Sequence, residues 1–199
     1  IPFAGLTEDG LPTFINQDGQ KTISSFNFQE YEKLDFLKYE GPTDPTITGS
    51  FGNILTYKNL KLNVFVTYSF GNVIRLDPVF SNAYSDLDAM PKEFKNRWMK
   101  AGDENVTNIP TIVSTRMNQQ YAYLNMAYNA YNYSDVRIAD GGFIRLKEIS
   151  LSYDLPAKVI NFFRLNKLQL KLQATNLCLL YADSKLNGQD PEFFRSGGV

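Results

Sequence analysis

From Leu60 onward the side chains alternate strictly, and that alternation leaves little freedom of fold. Leu60, Leu62, Val64, Val66, Tyr68 and Phe70 occupy the even positions, against Lys61, Asn63, Phe65, Thr67 and Ser69. A period of two is the signature of a strand with one apolar face. Just upstream, Ile47, Phe51, Leu55 and Tyr57 share one face, opposed by Thr48, Ser50, Thr56 and Lys58. Only Lys58-Asn59 separates the two runs. So short a link predicts an antiparallel hairpin, with Asn59 suited to a turn that needs positive φ. The pattern returns near the C-terminal end. Ile149, Leu151, Tyr153 and Leu155 oppose Glu148, Ser150, Ser152 and Asp154, and Pro156 stops the run. Leu168, Leu170, Leu172 and Ala174 then oppose Lys167, Gln169, Lys171, Gln173 and Thr175.

These strands are longer than the usual five or so residues of a globular strand. Ten residues rise about 33 Å. Tilted, they leave about 25 Å of height, the apolar band of an outer-membrane barrel. The links alternate in length as well: Lys58-Asn59 and Ala157–Asn166 are short, whereas 1–46, 73–142 and 182–199 are long. The expected fold is therefore all-β: a segment of an antiparallel transmembrane β-barrel of about four long strands, with long loops and one short loop helix. A soluble β-sandwich or a propeller remains open, because a polar strand face suits bulk water as well as an aqueous lumen. Tyr57, Tyr153, Tyr68 and Phe70 fit an interfacial aromatic girdle, and equally the general strand preference of aromatic residues.

The rest of the chain reads as loop. In 1–46 the pairs Asp9-Gly10, Asp18-Gly19, Gly41-Pro42 and Asp44-Pro45 mark turns, with a short hairpin expected at Asp18-Gly19. Pro91–Ala101 predicts a short helix, Pro91 in its first turn and Gly102 at its end. A Tyr/Asn-rich stretch follows, including Tyr121, Tyr123, Tyr128, Tyr131 and Tyr133. The most apolar runs, Val159–Phe163 and Leu177–Ala182, are far short of the roughly 20 residues of a membrane-spanning helix. Ile1-Pro2-Phe3-Ala4-Gly5 does not open a signal peptide.

Composition removes several classes of chemistry. The chain has no histidine, and Cys178 is its single cysteine, so Cys/His zinc sites, His-dependent triads and internal disulfides are excluded. With 20 basic and 21 acidic residues it carries no basic footprint for nucleic acid. Asp86 and Asp88, or Glu30 and Glu32, lie two apart in loops and carry no signal of a glycosidase pair. Asp103 and Glu104, with Asp86 and Asp88, lack an EF-hand spacing and read as ordinary loop acids. No enzyme, metal or cofactor is expected. Cys178 reads as a small apolar residue.

Several stretches resemble one family. They are Gly49-Ser50-Phe51-Gly52-Asn53 with Tyr57–Leu62 and Tyr68-Ser69-Phe70-Gly71; Phe3-Ala4-Gly5-Leu6 with Gly10-Leu11-Pro12 and Asp18-Gly19; and Tyr39-Glu40-Gly41-Pro42 with Asp44-Pro45. Arg97-Trp98 with Gly102-Asp103, Asp140–Lys147 with Ser150–Pro156, Ala174-Thr175-Asn176-Leu177 and Asp190-Pro191-Glu192 complete the set. In their order along the chain they resemble SusC/RagA-family TonB-dependent outer-membrane transporters of Bacteroidetes. The resemblance implies the C-terminal part of a barrel of about 22 strands. It divides the chain into an extracellular loop (1–46), a hairpin (47–72), a long extracellular loop (73–142), a second hairpin (143–181) and a loop before a missing last strand (182–199). Members carry a plug domain and a TonB box that do not occur here, so a fragment of a longer protein is expected.

The implied function is barrel wall and loops of an outer-membrane importer of oligosaccharide or oligopeptide. A SusD-like surface lipoprotein would act as lid, TonB would engage the missing N-terminal part, and outer-membrane lipid would surround the wall. The rival readings are a soluble carbohydrate-binding β-sandwich module and a passive structural barrel. Trp98, Tyr121, Tyr123, Tyr128 and Tyr131 are the candidates for touching ligand or lid, since flat amphipathic rings stack on sugars and peptides. The plainer alternative has these rings packing the loop against itself. Lys61, Lys167, Gln169 and Lys171 are expected to face the lumen; a solvated wall is their plainer reading.

Overall fold

The computed structural model describes residues 1–26, 34–80, 90–162 and 164–192. Asp86, Asp88, Glu30 and Glu32 lie outside the described residues. The chain divides into two compact units: Ile1–Gly41 with Ile74–Ala139 and Lys185–Val199, and Pro42–Val73 with Asp140–Ser184.

The first unit begins with three short antiparallel strands, β1 (Phe3–Leu6), β2 (Pro12–Ile15) and β3 (Lys21–Thr22), in the order β1-β2-β3. The turn between β2 and β3 falls at Asp18-Gly19. Asn16 Oδ1 accepts from the Asp18 and Gln20 backbone N–H groups at 3.0 and 2.9 Å, and Gly19 takes φ 71°, open to a residue without Cβ. Where the sequence predicts a long loop there are two helices, α1 (Thr115–Gln120) and α2 (Leu124–Asn132). Ser114 caps α1 by accepting from Met117 N–H at 3.3 Å. Helix α2 buries Leu124, Ala127, Tyr128 and Tyr131, the spacing that places four side chains on one helical face.

That face meets residues from the far end of the chain. Phe14, Val79, Ile109, Ala127, Ala130 and Tyr131 form one cluster, and Leu11, Leu124 and Tyr128 another. Phe3 meets Phe14 and Tyr131 edge-on, with ring centroids 6.0 and 5.7 Å apart. Fully burying such a side chain is worth about 1.5–3 kcal/mol. The core therefore outweighs the weak helix propensity of a Tyr/Asn-rich sequence.

The helix expected over Pro91–Ala101 is a 3₁₀ turn, Lys92–Asn96, with Pro91 at its cap position. It ends early because the chain turns extended at Arg97, where Trp98 N–H donates to Ile109 O at 2.9 Å rather than to its own turn. Gly102, at φ 100°, opens a second 3₁₀ turn, Asp103–Asn105. A two-stranded sheet joins β6 (Val73–Arg75) to β7 (Ile138–Asp140).

The second unit is an antiparallel sheet of β4 (Ile47–Tyr57), β5 (Leu60–Phe70), β8 (Phe143–Asp154) and β9 (Gln169–Ala182), in that spatial order. The alternating runs seen in the sequence fall on these strands. The left-handed residue of the β4–β5 turn is Lys58 (φ 53°), not Asn59. Asn59 instead ties the turn to β8. Its Nδ2 donates to Asp154 O at 2.8 Å, and its carbonyl accepts from Asp154 N–H at 2.9 Å. The register aligns Leu55, Leu62, Leu151 and Leu172 across all four strands, next to a row of Tyr57, Leu60, Tyr153 and Leu170. Most of this apolar face is exposed, with Leu172 76% and Leu55 61% accessible. Helix α3 (Ala157–Phe162) lies in the link between β8 and β9, just after Pro156.

The expectation of an all-β barrel segment is therefore corrected. Among the described residues the fold is a mixed α/β arrangement of three open sheets with three α-helices and several 3₁₀ turns. The edge strands β4 and β9 do not pair with each other, so the described residues form no closed barrel. Among them, no helix is long and apolar enough to cross a membrane, which says nothing of strands.

Candidate functional site

The aromatic candidates divide by environment. Trp98 lies half-buried over Gly10, close enough that a Cβ there would clash with its indole ring. Gly10 also holds φ 75°, so the chain needs glycine here for two reasons. Trp98 Nε1 donates to Glu104 Oε2 at 3.0 Å, and the same oxygen accepts from Gly102 N–H at 2.8 Å. The Trp98 bond, with backbone donors behind it, holds the Glu104 carboxyl below its usual range. Asp103 Oδ2 accepts from the N–H groups of Met99 and Lys100 at 3.0 and 3.1 Å. These two acids thus brace the loop that carries Trp98. No group of three or more metal-ligating side chains comes together among the described residues.

Tyr121 is half-buried and donates its hydroxyl to Asp9 Oδ2 at 3.1 Å, a bond to the neutral form that pushes its pKa up. Tyr123 is 75% exposed and sits at φ 64°, just before α2. A non-glycine residue in that conformation costs about 1–3 kcal/mol, so the local structure holds this ring outward against strain. Tyr128 and Tyr131 have their rings in the core instead. Tyr128 donates to Thr111 O at 2.7 Å. Burial pushes the Tyr131 hydroxyl up to about 12.

The four polar candidates on and beside the sheet are exposed. Lys61 pairs with Asp154 at 3.8 Å, and Gln169 Nε2 donates to the other oxygen of that carboxylate at 2.9 Å. Lys171 stands opposite Ser152, itself opposite Lys61, and Lys167 precedes β9. Cys178 is exposed on β9.

The first unit also carries a cavity of about 620 Å³, open to solvent, that sequence reasoning does not find. Glu93, Arg97, Asp103, Tyr131, Arg137 and Lys185 are among its lining residues. Arg137 is the unusual member. Its side chain is 2% exposed, and its Nη2 pairs with Glu93 Oε1 at 2.6 Å and donates to Asp77 O at 2.6 Å. The sequence signal for this residue is faint: one charge in Val136-Arg137-Ile138, with its partner Glu93 far away along the chain.

No family profile matches the chain. A curated relative, TonB-dependent receptor P3 of Formosa agariphila, is 26% identical over 189 residues, covering 95% of this chain and 16% of that protein. Among solved structures, the RagAB peptide importer in its open-open state superposes with a TM-score of 0.60 at 20% identity, over 96% of this chain and 19% of that one. Its closed-closed state gives 0.57 at 21% identity, over 96% and 20%. The chain therefore spans a fifth or less of the length of these proteins. The chain is thus similar in sequence to a TonB-dependent receptor and in fold to the RagAB importer. The expectation of barrel wall and loops is corrected by the open sheets and by the packed helical core in the stretch read as loop.

Proposed function

We propose that this chain is a non-catalytic binding module of a SusC/RagA-related uptake complex, and that its first unit engages an oligopeptide. The observation that carries this reading is the presentation of aromatic surface by a braced scaffold. Trp98 is fixed by Gly10 and Glu104, Tyr121 by Asp9, and Tyr123 is held outward at positive φ. Rings fixed in advance lose little entropy on binding and stack on peptide or sugar. The RagAB likeness favours peptide over oligosaccharide, since those structures are of a peptide importer. A SusD-like surface lipoprotein is the proposed partner, and the outer membrane the proposed location. Energy coupling through TonB belongs to other parts of the complex.

The test places a photo-crosslinking benzoylphenylalanine at position 123 of the intact protein and adds a labelled oligopeptide mixture. Crosslinking at 123, competed by unlabelled peptide and absent from a control at Leu172, is expected. Equal labelling at both positions, or none at 123, overturns the reading.

A further inference from the structure

We infer that the 620 Å³ cavity of the first unit is a carboxylate-binding site, and that it takes the free C-terminus or an acidic side chain of a peptide. This deepens the peptide-binding reading and rests on it for the identity of the ligand. Three cationic side chains, Arg97, Arg137 and Lys185, line the cavity against two carboxylates, Glu93 and Asp103. Both carboxylates have partners already: Glu93 pairs with Arg137, and Asp103 accepts from two backbone N–H groups of its own loop. Arg137 is 2% exposed and holds Glu93 at the cavity wall. Arg97 retains donors. Arg97 is half-buried, and its Nη1 donates to Phe94 O at 3.3 Å, which leaves most of its five N–H donors for a ligand. A planar carboxylate is the anion whose geometry matches a guanidinium edge, and it supplies the acceptors that Arg97 lacks. Tyr131, at the cavity wall and in the core, makes the site rigid, so little ordering is needed when an anion enters.

The experiment is calorimetric titration of the intact protein with trialanine, trialaninamide and glutarate, on wild type, Arg97→Gln and Arg116→Gln. Arg116 is exposed on α1 and does not line the cavity. The inference expects trialanine to bind about tenfold more tightly than its amide, and Arg97→Gln to lose about tenfold for trialanine and glutarate. Arg116→Gln should match wild type. Acid and amide binding alike, or Arg97→Gln without effect, overturns the carboxylate site and leaves the peptide-binding reading standing. Glutarate bound in an Arg97-dependent way with no tripeptide bound supports the site and counts against peptide as its ligand. Binding of none of the three probes overturns the site.

Discussion

The two units solve the problem of stability in opposite ways. The first gathers short strands, turns and helices around a buried aromatic core in which Phe14 is fully inaccessible. The second is a ladder of four long strands whose larger side chains, Leu55, Leu172 and Leu180 among them, remain exposed. Side-chain packing dominates one and backbone hydrogen bonding the other. Truncating a side chain should therefore be felt in the first unit and hardly at all in the second.

The largest contrast comes from Phe14→Ala against Leu172→Ala. The first should cost about 3–5 kcal/mol through the cavity it opens, the second within about 0.5 kcal/mol. Hydrogen exchange resolved by segment reads each unit separately. Equal losses would break the comparison. Next in size is Glu93→Gln, which leaves the Arg137 guanidinium buried without its counter-charge. A loss of about 3 kcal/mol is expected, confined to the first unit. Denaturant titration followed by Trp98 fluorescence measures it.

A pH effect of similar or smaller size separates the units further. The Tyr131 pKa is raised in the folded state, to about 12 from 10.0. A raised value favours folding below the unfolded pKa and loses that contribution as pH climbs towards the folded one. The first unit should therefore lose about 2–3 kcal/mol between about pH 10 and 12. Tyr131→Phe should remove that slope, which thermal melts across the range will show. The smallest effect is at the acid end. The Glu104 pKa is depressed, so its support of Trp98 is present above the ordinary glutamate range and fades as pH falls through the lowered value. Trp98 emission should change over that acid window in wild type and stay flat in Glu104→Gln.

The contrast also explains what the sequence can reveal. A period of two is a local property, so the strands of the second unit are legible at Leu60–Phe70 and along Glu148–Asp154. The turn residue is not: Asn59 is the residue suited to positive φ, but Lys58 takes that conformation while Asn59 bonds to Asp154. Helix α2 is hidden because Tyr and Asn signal loop locally. Its buried face exists only because Phe3 and Phe14 arrive from the other end of the chain, as Phe3 N–H does at Asp135 Oδ1. The exposed Tyr123 is legible as a candidate; the burial of Tyr128 and Tyr131 is not, for the same reason. Strand length and turn asymmetry suggest a segment of a larger barrel, but they describe each strand singly and say nothing of the helical core formed in the first unit.

Hydrogen exchange of the intact protein with and without a saturating oligopeptide mixture tests peptide binding by the braced aromatic surface. Slower exchange in the Trp98–Asn105 loop and at Tyr121–Met126, with β5 and β8 unchanged, is the expected result. Protection limited to the sheet strands, with the Trp98 loop and the start of α2 exchanging as before, would contradict it.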